Sequence, residues 1–274
     1  MDLVQWIVFG VLPAVAVVLL LVGVGGPRWL GLALAAAVCI PLALEDGLPP
    51  WPWQLDLSGG APRQALWWLL VLGGVTGCAS DLRLLPQALA VMVEVGLVAA
   101  LPWSLSGSLR AATSFEVAVV FLLAAWLGLA ALWWGMRRAA RVQRGLAAPL
   151  AMAVALACDA WFLRAAASSA DWKLAAVAAV ALGFAVVTAT WRRPFECRGG
   201  AVLCMTIAHS GLLLCGRTAT GLQHGSFLLV WLAPLMFCAA ALPWLRRSPG
   251  LGALVGVLGV AVVGAAAIWL SVPA

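Results

Sequence analysis

Residues 137–144 read RRAARVQR, and this stretch decides how the rest of the chain is interpreted. It carries four arginines and no acidic residue, and long apolar runs flank it on both sides. Short basic segments between apolar runs are typical of cytoplasmic loops in membrane proteins, because Lys and Arg are retained on that side of the bilayer. The stretch therefore predicts a cytoplasmic connection between two membrane-spanning helices.

The composition agrees with a membrane-embedded chain. Of the 274 residues, 65% are hydrophobic and only 9% are charged, whereas soluble domains carry about 25% charged residues. A spanning helix needs about 20 mainly apolar residues, so the chain has room for about ten. We expect an all-α, polytopic integral membrane protein with about ten transmembrane helices. It forms a single transmembrane domain over residues 1–274, which could divide into halves 1–136 and 137–274.

Polar breaks divide the chain into ten predicted spans, the first of which follows the acidic residue Asp2 without any basic residue before it. A secretory signal peptide would instead have a positive start and a shorter apolar core. By the length that a bilayer requires, the spans cover approximately residues 3–24, 29–44, 65–80, 84–105, 115–136, 146–167, 174–191, 199–216, 226–245 and 251–272.

The distribution of basic residues predicts the orientation of these spans. Ten spans with the N-terminus outside place the larger share of the arginines in cytoplasmic loops, as the positive-inside rule requires. We therefore expect a cell membrane, here the bacterial inner membrane, with the N- and C-termini outside and the lipid bilayer as partner. The net charge of +6 is explained by these loops, so no nucleic acid is expected. The residues predicted to set the topology are Arg137, Arg138, Arg141, Arg144, Arg192 and Arg193.

Three ionisable residues lie at membrane depth, away from the ends of the predicted spans, where charge is costly and indicates function by default. Glu94 lies near the centre of span four and either titrates as a proton-coupled site or bonds, protonated, to a neighbouring helix. Asp159 either contributes to such a site or pairs structurally with Arg164, five residues on. His209 either relays protons, ligates haem or forms a packing hydrogen bond; a single histidine at this depth excludes bis-histidine haem ligation within the chain. Glu94, Asp159 and His209 are the candidate intramembrane polar site.

Small residues predict where helices pack closely. Gly73-x-x-x-Gly77 and Gly252-x-x-x-Gly256 each form a face that lets another helix approach. The seven cysteines include no CxxC pair and mostly lie in apolar runs, so we interpret them as packing residues. No metal and no cofactor are expected.

The same inventory argues against catalysis. Phosphate-binding glycine loops and the HExxH and GxSxG motifs are absent. His209 and Ser210 are neighbours whose side chains point about 100° apart on a helix, so they do not form a nucleophile–base pair. We expect a non-enzymatic membrane subunit or scaffold, a role that allows membrane-protein partners. The alternative is a secondary transporter or proton-coupled permease that uses Glu94, Asp159 and His209.

The segment 199–216, GGAVLCMTIAHSGLLLCG, resembles a helix of the antiporter-like membrane subunits of respiratory complex I and of multisubunit cation/proton antiporters. Ala208-His209 is the sharpest part of the match, and residues 221–254 resemble the two helices that follow. The resemblance covers residues 115–274 and implies a proton-translocating fold. However, Gly199 and Gly200 stand where the family has Lys-Arg, and span five lacks the mid-helix Glu. The resemblance thus implies a divergent or accessory member without the pumping residues.

Overall fold

The computed structural model describes residues 3–51, 62–104, 106, 113–143, 145–166, 171–190, 197, 199–220, 224–242, 245 and 247–271. These residues are helical apart from short turns, and no strand occurs among them. Seven helices in this part of the chain are long and apolar enough to cross a membrane. The prediction of an all-α membrane protein is confirmed at this level.

The helices are labelled in chain order, and their bounds lie close to those of the predicted spans. Helix α1 consists of Leu3–Trp6, a π-helical turn Ile7–Val11, and Leu12–Gly25. The short 3₁₀ turn Pro27–Trp29 leads into α2. The other helices are α2 (Leu30–Asp46), α3 (Pro62–Asp81), α4 (Gln87–Ser104), α5 (Phe115–Val142), α6 (Ala147–Ala165), α7 (Asp171–Thr190), α8 (Gly199–Thr220), α9 (His224–Leu232), which continues as the 3₁₀ helix Ala233–Ala241, and α10 (Pro249–Ser271).

Two elements differ from the sequence-based expectation. Helix α5 continues through the arginine stretch to Val142, so Arg137, Arg138 and Arg141 lie on a helix and not in a loop. With 28 residues it is about 42 Å long, which exceeds the hydrocarbon thickness of about 30 Å. In α9, the predicted span is broken by a change from α to 3₁₀ geometry at Ala233.

Helix α8 is the centre of the bundle. Of its most apolar stretch 94% is buried, whereas the corresponding values are 22% for α5 and 28% for α10 at the periphery. Every residue from Gly200 to Gly216 is buried. The peripheral helices instead expose large apolar side chains, such as Val120 and Val262, as helices in contact with lipid do. A polar group on α8 therefore lies where lipid and water are both excluded.

Glycines allow the backbones of α2, α3 and α8 to meet. A Cβ atom at Gly77 would lie 2.5 Å from the Cα atom of Gly200, and one at Gly200 would lie 2.2 Å from the Cα atom of Gly77. A Cβ atom at Gly31 of α2 would lie 3.0 Å from the Gly200 carbonyl oxygen, so α2 reaches the same point. Gly73 packs one turn along against Cys204. The predicted packing face of α3 is thus used within the chain.

The glycine face of α10 also lies inside the bundle. Gly252 and Gly256 are both buried, and α10 packs against α6 and the 3₁₀ helix that follows α9. Further along α10, a Cβ atom at Gly264 would lie 2.4 Å from the sulfur of Cys158 on α6. Helix α10 therefore packs against the segment of α6 that carries Asp159.

A network of charges joins one end of several helices, and we call it the charged end. Arg63, at the start of α3, binds Asp171 at 2.7 Å and Asp46 at 3.4 Å. Lys173 of α7 lies 3.9 Å from Glu45 of α2. The charged end therefore brings together the end of α2 and the starts of α3 and α7.

Candidate functional site

Asp159 and His209 form a buried pair between α6 and α8. The distance from His209 Nδ1 to Asp159 Oδ2 is 2.6 Å, and neither side chain has any exposed surface. His209 lies midway along the central helix α8, whereas Asp159 lies in the second half of α6. The second carboxylate oxygen, Asp159 Oδ1, is buried without a hydrogen-bond partner. An orphaned carboxylate oxygen is costly in an apolar interior.

The other ring nitrogen of His209 contacts a backbone carbonyl beside the break in α9. His209 Nε2 lies 2.9 Å from the carbonyl oxygen of Trp231, immediately before α9 changes to 3₁₀ geometry. In the 3₁₀ register, the donor to this carbonyl would be residue 234, but Pro234 has no N–H group. The helix break at Pro234 therefore supplies the acceptor that orients His209.

This arrangement defines where protons are bound. A carbonyl oxygen only accepts, so Nε2 carries a hydrogen in either charge state of the imidazole. The variable proton lies between Nδ1 and Oδ2, and the pair is net neutral with it in place. Without that proton, a neutral Nδ1 lone pair and a carboxylate oxygen would face each other at 2.6 Å, which is repulsive. Loss of the proton therefore opposes the contact between α6 and α8.

Few other polar groups reach this pair. Among the described residues, the charged group that acts on Asp159 is His209, and the charged group that acts on His209 is Asp159. The thiol of Cys158, next to Asp159 in the chain, is the other ionisable group nearby. The proton between Nδ1 and Oδ2 is consequently governed by the pair itself and by the Trp231 carbonyl.

Trp231 links α9 to α8 and α5. Its indole Nε1 donates a hydrogen bond of 2.9 Å to Ser210 Oγ, while its carbonyl holds His209. A Cβ atom at Gly128 of α5 would lie 2.6 Å from the ring of Trp231, so this glycine makes room for the indole. His209 and Ser210 thus both contact Trp231, and they do not contact each other as a nucleophile and its base would.

Glu94 lies in a separate ion pair. Its carboxylate binds Arg137 Nη1 between α4 and α5. Glu94 is fully buried, and the guanidinium of Arg137 also covers the ring of Trp133 at 5.3 Å. Glu94 Oε1 and Arg137 Nε have no hydrogen-bond partner. Because a guanidinium is not deprotonated in proteins, Arg137 keeps its positive charge in this pair.

The three predicted site residues are therefore divided between two places. Asp159 and His209 meet, and Glu94 lies with Arg137. The expected pairing of Asp159 with Arg164 is wrong: Arg164 covers the ring of Trp172 at 5.5 Å. Residues five apart on a helix point about 140° apart, which separates them around the axis. Arg144, Arg192 and Arg193 lie outside the described residues.

A second feature, which the sequence did not indicate, is a cavity of about 510 Å³ between α5, α9 and the end of α8. Arg217 lies in its wall, with its guanidinium carbon 4.8 Å from the ring centre of Phe121 and 4.6 Å from that of Phe227. We call this cavity the Arg217 groove. Its lining residues are Glu116, Val117, Val120, Phe121, Ala124, Ala125, Arg217, Phe227, Leu228 and Trp231.

A smaller cavity of about 250 Å³ is formed by Trp134, Arg137, Arg138 and Arg141 of α5. Arg138 and Arg141 are exposed there, whereas Arg137 turns back to Glu94. The described part of the chain holds no group of three or more His, Cys, Asp or Glu side chains suited to a metal ion.

Comparison with known proteins supplies no relative: no family model, curated protein or solved structure matches the chain. The function is therefore argued from the geometry of the Asp159–His209 pair and its surroundings.

Proposed function

We propose that this protein is a proton-coupled secondary transporter in which Asp159 and His209 bind the coupling proton. The observation that carries the proposal is the buried Nδ1–Oδ2 contact of 2.6 Å, set against a broken helix. Transporters place coupling sites where discontinuous helices leave backbone carbonyls free within the membrane. The Trp231 carbonyl before Pro234 has this property.

The pair supplies a physical link between proton binding and conformation. With the proton in place, the contact holds α6 to α8 and keeps His209 on the Trp231 carbonyl. After the proton leaves, the two lone pairs repel, and the state in which α6 and α8 separate gains in relative stability. A proton that binds one conformation better than another shifts their populations by that difference in affinity. This is the requirement for coupled alternating access.

We further propose ten membrane crossings in a bacterial inner membrane, with both termini outside. Besides the seven longer apolar helices, Leu12–Gly25 and Gly225–Ala239 are shorter apolar helices, and α3 has 20 residues. The charged end supports a common side for residues predicted to lie outside, because Arg63, Asp171 and Asp46 contact one another. Trp6 and Trp172, also predicted near the outer face, lie 6.4 Å apart.

A membrane subunit or scaffold that binds partners through glycine faces would need those faces exposed. Gly73, Gly77, Gly252 and Gly256 are instead buried within the chain, and this favours transport over the scaffold role. The proposed transporter needs neither a metal nor a catalytic nucleophile.

The experiment compares wild type with Asp159→Asn, because an asparagine amide donates to His209 Nδ1 as the protonated acid does. Cys204 and Cys215 of α8 are buried, so their labelling by a maleimide reports opening around α8. In proteoliposomes, the ratio of wild-type to Asp159→Asn labelling should rise at least threefold from pH 6 to pH 9, an estimate that corresponds to about 0.7 kcal/mol. The ratio cancels the pH dependence of the thiol reaction itself.

A third variant, Asp159→Ala, separates stability from coupling. It removes the donor and leaves Nδ1 unpaired, so we expect labelling at both pH values and a lower free energy of unfolding. If the wild-type and Asp159→Asn rates stay in constant ratio across this pH range, the pair has no coupling role and the proposal fails.

A further inference from the structure

The Arg217 groove opens toward the lipid on one side and ends on the other at Trp231, which contacts His209. Val117, Val120 and Leu228 on its rim are 56%, 67% and 46% exposed. Its inner wall is Trp231, which is buried and holds His209 through its carbonyl. A volume of about 510 Å³ is within the range of pockets for small molecules. A molecule entering from the bilayer would therefore contact the residue that orients His209.

The guanidinium of Arg217 is arranged to bind an anion at its edge. The aromatic rings of Phe121 and Phe227 lie 4.8 and 4.6 Å from its central carbon. A cation–π contact does not satisfy the five N–H donors of a guanidinium, so these donors remain for a ligand. No described acidic side chain forms an ion pair with Arg217, although Glu116 lines the same groove. A cation held between aromatic rings at the wall of an apolar groove is complementary to an amphipathic anion.

We propose that the groove is the substrate site, and that the substrate is a single-chain amphiphile with a carboxylate headgroup. The inference rests on the proposed transport function and names its substrate class. The carboxylate accepts two N–H bonds from Arg217 in the planar arrangement that suits a guanidinium. The apolar chain lies along Val117, Val120 and Leu228. Because Glu116 places one negative charge at the same groove, a monoanion is better matched to the site than a dianionic phosphate.

The groove also explains how substrate and proton are coupled. The ring of Trp231 stacks on Phe227 at 5.8 Å, and Phe227 covers Arg217. An amphiphile that displaces Phe227 or the indole of Trp231 moves the carbonyl that fixes His209 Nε2. Substrate in the groove and the proton on Asp159–His209 therefore act on one shared element, the segment of α9 before Pro234.

The test is equilibrium binding of 11-(dansylamino)undecanoate to the full-length protein in detergent, followed by dansyl fluorescence. Arg217→Gln should weaken binding at least tenfold, because it removes the charge and the paired donors. Arg217→Lys should lie between the two, and Val120→Trp should block the groove. Arg247→Gln is the matched control, since Arg247 is exposed and distant in the chain. Each variant is first checked by size exclusion and thermal unfolding.

The methyl ester of the same probe separates headgroup recognition from partition into detergent. It should bind more weakly than the acid, with the same affinity for wild type and Arg217→Gln. Equal affinity of wild type and Arg217→Gln for the acid overturns the inference, as does preference for a single-chain phosphate monoester. The pH-dependent labelling of α8 is measured without amphiphile, so the proton-coupling proposal and the substrate assignment can fail independently.

Discussion

At the scale of single residues, the two fully buried carboxylates, Asp159 and Glu94, differ in the partner that each has. Asp159 contacts an imidazole, which can share or release a proton. Glu94 contacts a guanidinium, which keeps its proton. The cost of burying each carboxylate is therefore offset differently. Asp159 has a titratable partner, whereas Glu94 has a partner with a fixed charge. This difference assigns proton binding to Asp159–His209 and a structural role to Glu94–Arg137.

The structural role of Glu94–Arg137 is tested by a double-mutant cycle of Glu94→Gln and Arg137→Gln. Removing one member of a buried ion pair costs about 3–5 kcal/mol, because the other charge is left without compensation. Each single variant should lose stability in this range, and the double variant should lose less than the sum by at least about 1 kcal/mol. The free energy of unfolding in mixed detergent micelles is the measurement.

The control for this cycle is Glu116→Gln, at an exposed residue, which should change stability by less than about 0.5 kcal/mol. Additive losses in the double variant would show that Glu94 and Arg137 act separately and would contradict the structural pair.

The sequence identified the buried ionisable residues but not their partners. The free-energy cost of burying an ionisable group depends on that residue and its apolar neighbours in sequence. Glu94, Asp159 and His209 could therefore be selected from their positions within apolar runs. Pairing depends on which helices are neighbours, and Asp159 and His209 are 50 residues apart. Arg137 was interpreted as a loop residue because charge usually ends a span. The sequence did not indicate a binding role for Arg217, because the rings of Phe121 and Phe227 beside it belong to other helices.

At the scale of helices, the sequence predicted bounds well where Pro, Gly or charged residues end an apolar run. Helix α8 begins at Gly199, as predicted, and α10 ends at Ser271, one residue before the predicted end. Helix α5 was misjudged because three arginines lie on its final turns, where the helix extends past the hydrocarbon region. The 3₁₀ geometry after Leu232 lies at Pro234, and a proline in an apolar run indicates a change of path but not the register that follows.

Helix packing at Gly77 and Gly200 gives the second stability prediction. Gly200→Ala places a methyl group 2.2 Å from the Gly77 backbone, so α3 and α8 must separate. Overpacking of this kind costs about 1–3 kcal/mol, and we expect a loss of this size in the free energy of unfolding.

The matched control for Gly200→Ala is Gly183→Ala in α7, where no atom lies within 4 Å of the added Cβ. There the substitution should be neutral or stabilising, because alanine has the higher helix propensity. A loss at residue 183 equal to that at residue 200 would mean that glycine flexibility, and not close packing, is needed in this bundle.

The same contact accounts for the two glycines at the start of α8, Gly199 and Gly200. In this chain, a side chain at residue 200 would overlap the backbone of α3, and a Cβ atom at residue 199 would lie 3.5 Å from the Arg137 guanidinium. The glycines at the start of α8 thus accommodate the α3 backbone and the partner of Glu94.

At the scale of the whole molecule, charged groups collect at the two ends of the bundle and one titratable pair lies between them. The charged end contains Arg63, which binds Asp171 and Asp46. The other end contains the exposed Arg138 and Arg141 of α5. Among the described residues, the charges at the first end are largely paired, whereas Arg138 and Arg141 form no ion pair with a described acidic side chain. By the positive-inside rule, this distribution supports the proposed orientation, in which the α5 end is cytoplasmic.

This orientation predicts which residues a membrane-impermeant maleimide reaches in intact cells. In a variant without its natural cysteines, Leu48→Cys should be labelled from outside, because residue 48 is 81% exposed at the charged end. Arg138→Cys and Gly250→Cys, both at exposed positions, should be labelled only after the membrane is permeabilised.

Tags at the two termini should both be accessible from outside, since an even number of crossings returns the chain to its starting side. Opposite accessibility of the two tags would require an odd number of crossings. Labelling of residue 138 from outside would reverse the orientation and would place the Arg217 groove in the cytoplasmic leaflet.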